Sequence, residues 1–78
     1  MKTKTDVTQL NEGQKAKVVE IHGGCGLIKK LDTLGIRPGV EIKKIGSQIL
    51  KGPQILKIAN TYVAIGFGMA KKIIVEKI

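Results

Sequence analysis

Aromatic side chains are nearly missing from this 78-residue chain, which holds one Phe, one Tyr and no Trp. Its core must therefore be aliphatic, and it has almost no platforms on which bases could stack. There is one cysteine, Cys25, so no internal disulfide can form. No apolar run approaches the ~20 residues that cross a bilayer, and no signal-peptide segment follows Met1. The expected location is the reducing cytoplasm. Acidic residues are scarce, six against fourteen Lys and Arg, for a net charge of +8. That excess implies an acidic partner, namely nucleic acid, an anionic membrane face or an acidic protein surface, unless the lysines only solubilise the surface. Internal repeats, linkers and low-complexity tracts are also lacking.

What the chain does have is Ile and Val, within an apolar share of 42%. This suffices for one domain near the lower size limit of a single core. The organising stretch runs from Leu27 to Val40. Leu27, Leu31 and Leu34 recur at i, i+4 and i+7, giving one apolar helical face. Gly35 supplies the left-handed residue that closes a helix, with Ile36 packing back on the last turn. Pro38-Gly39 then reads as the centre of a type II turn.

The rest of the chain reads as strand. Residues 1–8 are polar and aperiodic, a flexible N-terminal lead-in, and residues 9–78 form the single domain. Asn11-Glu12-Gly13 is a turn. Strands are expected at Lys15–Ile21, Val40–Ile45, Gln54–Ile58, Tyr62–Phe67 and Ile73–Ile78. The alternation slips at Val18-Val19 and at Lys43-Lys44, as bulged strands of small barrels require. Asn60 is the expected left-handed turn residue between the third and fourth strands. Met69 to Lys72 fits a single helical turn. The fold class is mainly β: a small, partly open five-stranded barrel with one short α-helix between its first and second strands.

The ordered set Leu10-x-x-Gly13, a strand, a Gly-rich loop and Leu31-x-x-Leu34-Gly35-Ile36-x-Pro38-Gly39 resembles the ferrous iron transport protein A (FeoA) family. Gly52-Pro53, Tyr62-Val63-Ala64-Ile65 and Ala70-x-x-Ile73-x-Val75 continue the likeness over residues 9–76. The resemblance implies an SH3-like barrel that is an accessory factor of a membrane ferrous iron transporter with a cytosolic GTPase domain. It is similar, too, to the SH3-like module of metal-dependent repressors. Members often carry Arg where Lys30 stands, and Lys keeps the charge but loses the bidentate fork. Leu31, Leu34, Gly35, Pro38 and Gly39 support the fold more than any chemistry.

Candidate chemistry is sparse. His22 and Cys25, three apart in a Gly-rich loop, could give a soft divalent ion such as Fe²⁺ two ligands, and Glu20, Asp32 or a second copy would have to complete the site. Their other reading is an exposed loop histidine and a small buried thiol. Gly23-Gly24-Cys25-Gly26 lacks P-loop spacing, and Cys25 has no third group to orient a catalytic pair, so an enzyme is the weakest reading and no cofactor is required. Lys29-Lys30, Lys43-Lys44, Lys51, Lys57 and Lys71-Lys72 could form a basic face. Without aromatics between them this suits at most nonspecific, salt-sensitive nucleic-acid binding, and no specific nucleic acid is expected. Lys29, Lys30, Ile49, Leu50 and Met69 are the candidate partner contacts, an apolar patch ringed by lysine. The alternative for Ile49 and Leu50 is a loop that plugs one barrel end. The expected function is non-enzymatic docking on the transporter, with metal sensing or basic nucleic-acid binding as alternatives.

Overall fold

A computed structural model describes residues 4–47 and 52–78 of the chain. Among the described residues there are six antiparallel strands: β1 (Lys4–Asp6), β2 (Lys15–Ile21), β3 (Glu41–Ser47), β4 (Gln54–Ile58), β5 (Thr61–Ile65) and β6 (Ile73–Lys77). They form one mixed-order sheet, β1-β6-β2-β3-β4-β5. Helix α1 (Cys25–Thr33) connects β2 to β3, and a short turn of helix, α2 (Phe67–Ala70), connects β5 to β6. The five expected strands are all there, and the helix lies between the two strands that should flank it.

The sixth strand is the main correction. Lys4, Thr5 and Asp6 pair with Glu76, Val75 and Ile74, so this part of the expected lead-in is the edge of the sheet. Asp6 then caps a 3₁₀ turn over Val7–Gln9, its Oδ1 accepting from the Thr8 amide at 2.9 Å. The turn drives Val7 into the core, where it is fully buried. One apolar residue in a polar stretch has no period to betray it.

Chemistry local to the chain shapes α1 and its exit. Gly24, extended, is the N-cap. Leu31 is fully buried and Leu27 half-buried, whereas Leu34, expected on the same face, is 37% exposed. Leu34 is the C-cap, past the turn that presses on the core. The amide of Ile36 donates to the Leu31 carbonyl at 2.8 Å and that of Gly35 to Asp32 at 2.9 Å, the pair of bonds that defines a Schellman ending. Gly35 carries the φ of +91° that this ending demands. The chain next makes the type II turn, with Gly39 at φ +97° and the Val40 amide donating to Arg37 at 3.1 Å. Gly39 also donates to the Val18 carbonyl at 2.7 Å, stitching the turn to β2.

Both slips in alternation are bulges. Val19 is the extra residue of β2 against β6, and Ile45 the extra residue of β3 against β4, the latter slightly later than the sequence pattern places it. The core gathers Val7, Ala16, Val18, Leu31, Ile36, Ile42, Leu56, Ile65, Ile73 and Val75, all aliphatic. Phe67 is only half-buried and opens α2, which begins two residues before its expected position and cuts β5 short at Ile65. The two-residue turn between β4 and β5 puts its positive φ, +55°, on Ala59 and not on Asn60.

Among the described residues, one charge lies inside. Lys44 is 3% exposed, and its Nζ donates to the carbonyls of Val7 and Leu10, both at 3.2 Å. Burial pulls its pKa below the ordinary lysine value, and the carboxylates of Asp6 and Glu12 pull weakly the other way. The sequence reading placed Lys44 on a basic face. In the structure it faces the core and ties the N-terminal turn to β3.

Candidate functional site

The expected partner contacts that are described lie on two helices, α1 and α2. Lys29 and Lys30 are exposed on α1, and Lys30 stands in the last turn, where a cation favours the helix C-terminus. Met69, on α2, is half-buried and packs against the core. Ile49 and Leu50, with Lys51, lie outside the described residues. Of the expected motif residues, Leu31 is buried, Leu34 is exposed, and Gly35 and Gly39 hold positive φ at the helix end and in the turn.

His22 and Cys25 flank the Gly-rich segment and both are exposed, so Cys25 is not the buried thiol considered above. His22 Nε2 is 3.2 Å from Glu20 Oε1, while Asp32 is engaged by Arg37 Nε at 2.8 Å. Among the described residues, no group of three or more His, Cys, Asp and Glu side chains is placed to hold a metal ion.

A groove that sequence reasoning missed runs over β2, β3 and β4. It encloses about 530 Å³ and is lined by Lys15, Val40, Glu41, Ile42, Lys43, Lys57, Ile58 and Ala59. Its polar part comes from cross-strand register: Lys15 opposes Lys43, and Lys43 opposes Lys57. Next in that row is Tyr62, opposite Lys57 and 61% exposed, with the Lys57 Nζ 5.7 Å from its ring centroid. Residues 15, 43 and 57 share no local motif, and only strand pairing brings them together. Val40 and Ile58 add aliphatic surface between these lysines, so the groove has an aliphatic floor under a lysine rim.

This sheet, helix and corner are shared with known proteins. The FeoA domain model matches residues 5–77. The chain belongs to the FeoA domain family. A Methanocaldococcus jannaschii protein, provisionally named Fe(2+) transport protein A, is 40% identical over 65 residues, covering 83% of this chain and 77% of that one. The crystal structure of an iron uptake regulatory protein (FeoA) is 32% identical, superposes with a TM-score of 0.89, and covers 97% of this chain and 99% of its own. A manganese-dependent transcriptional repressor shares the fold at 15% identity and a TM-score of 0.88, the match taking 44% of that longer chain. FeoA is not a known enzyme family. Among the described residues, no helix of this FeoA-family chain is long and apolar enough to cross a membrane.

Proposed function

We propose that this chain is a non-enzymatic accessory protein of ferrous iron uptake, acting in the cytoplasm by docking on a membrane Fe²⁺ transporter that carries a GTPase domain. The observation that carries this reading is the family match over residues 5–77, together with a 40% identical relative named for Fe(2+) transport. The physics of the fold supports it. A domain this small fills its interior with side chains, so what it offers a partner is its surface. Binding energy spent unequally on two transporter conformations shifts their populations, and an adaptor needs no further chemistry. Lys29, Lys30 and Met69, with Ile49 and Leu50, are the residues we assign to that contact.

The test is a tagged pull-down from host membranes in mild detergent, with the eluate identified by mass spectrometry. Recovery of a multispan GTPase transporter is the expected result. Recovery of nucleic acid and ribosomal proteins alone, released by salt, would replace docking by simple charge. A second reading, binding of Fe²⁺ by His22 and Cys25, has in its favour the Glu20 carboxylate beside His22. Equal metal uptake by the parent and His22→Ala in equilibrium dialysis would remove it.

A further inference from the structure

We infer that the groove over β2, β3 and β4 receives an acidic, extended polypeptide segment of a protein partner, and that Lys15, Lys43 and Lys57 bind its carboxylates. The inference rests on the docking reading and adds to that contact a second one, of stated chemistry.

Like charges directly opposed across a sheet are destabilising, yet here three lysines stand in one row on adjacent strands. The groove's single carboxylate does not oppose them, because Glu41 sits two residues along β3 from Lys43 and opposes Lys17 instead. The row therefore carries three positive charges over about 10 Å, given a strand spacing of ~4.8 Å. In an extended segment, side chains on one face recur every ~6.8 Å, so two carboxylates at i and i+2 fall between three ammonium groups. The methylene groups of those acidic side chains would rest on Val40 and Ile58, which line the same groove. The groove's volume is within the ~300–1,000 Å³ range of ligand clefts.

The lining separates this occupant from others that are anionic. Single-stranded nucleic acid needs aromatic faces between its phosphate contacts, and the groove lining has none. Tyr62, the aromatic of the row, has the Lys57 ammonium over its ring. A lone phosphate would have no use for the aliphatic floor.

The experiment is an NMR titration of the ¹⁵N-labelled full chain with an alternating Glu-Leu octapeptide. A Gln-Leu octapeptide, a thymidine oligonucleotide and inorganic phosphate serve as separate arms. Saturable shifts at Val40–Lys43 and Lys57–Ala59 are expected with the acidic peptide alone. They should weaken about fivefold in Lys43→Gln, as losing one partly exposed charge contact implies. Lys57→Gln provides a second variant with the same expectation, and the thermal melt of each confirms that it is folded. Absence of saturable shifts, equal affinity in both folded variants, or tighter binding of the oligonucleotide or phosphate in this groove would each overturn the proposal. Transporter capture that Lys43→Gln leaves unchanged overturns the groove and leaves the docking reading standing. Groove shifts without transporter capture do the reverse.

Discussion

Two neighbouring rows on the outer face of the sheet treat charge in opposite ways. One crosses four strands as Lys4, Glu76, Lys17 and Glu41, and every residue opposes one of the other sign. The other crosses Lys15, Lys43 and Lys57 without a sign change before reaching Tyr62. Both rows share strands β2 and β3, so the difference is not one of backbone or exposure. The first row neutralises itself, as a surface evolved for stability would. The second keeps an uncompensated charge over a groove, which is how a surface looks when something else is meant to complete it. The row holds three of the fourteen Lys and Arg, and their alignment is more informative than the size of the +8 net charge.

Several substitutions would break or sharpen this contrast. The largest effect is expected one residue from the groove, at Lys44, where β3 turns a lysine inward. Its ammonium donates to two carbonyls and feels the carboxylates of Asp6 and Glu12. Lys44→Met relieves the desolvation cost but strands the Val7 and Leu10 carbonyls, for a net loss of about 1–3 kcal/mol in urea unfolding. The segment from Lys4 to Leu10 should also exchange its amides faster. The pH dependence has a definite sign. Because the folded pKa lies below the unfolded value near 10.5, the folded state gives up the proton first. Stability relative to Lys44→Met is then flat below the folded pKa and rises with pH between the two values. A relative stability that falls over that window would mean the pKa is raised and burial is not the dominant cause.

Next in size is the self-neutralised row. Lys17→Glu would place three carboxylates side by side at Glu76, residue 17 and Glu41, replacing two favourable oppositions by two unfavourable ones. A loss of about 1–2 kcal/mol is expected from pair energies of ~0.2–1 kcal/mol each, shrinking in high salt. The reciprocal change, Lys43→Glu, makes the second row alternate. It should raise stability by about 0.5–1 kcal/mol on the same scale while abolishing binding of the acidic peptide. Stabilisation without loss of binding would detach the row from recognition. Destabilisation would show that Lys43 is held by something other than its opposed neighbours.

The two rows also mark where sequence stops being legible. The helix end and its turn could be read because Leu31, Gly35, Pro38 and Gly39 act within ten residues of one another. The bulge at Val18-Val19 could be read because it breaks a period in one strand. Strand β1 could not, since Lys4–Asp6 is polar on both faces and gains its identity only by pairing with β6, some seventy residues on. The lysine row is hidden for the same reason. In the sequence, Lys43 and Lys44 are equivalent neighbours. In the fold one opposes Lys57 on the outer face and the other holds the N-terminal turn from inside. Composition left an acidic partner and a lysine-solubilised surface both open, and only register shows that three of the lysines stand in one row.

The smallest expected effect is at the rim of the groove. Ala59 holds a φ of +55° in the first central position of the β4–β5 turn, where a Cβ costs about 1–2 kcal/mol against glycine. Glycine returns about 0.4–1 kcal/mol of that to the unfolded chain as entropy. Ala59→Gly should therefore raise the midpoint of thermal unfolding slightly, by a net gain of under about 1 kcal/mol. Its consequence for the groove is the sharper question. If the three lysines alone set affinity, the peptide titration should be unchanged, because Ala59 contributes no charge. If affinity falls while stability rises, then the strained turn is holding Lys57 and Ile58 in place for the segment they meet, and the contrast between the two rows extends from charge to backbone.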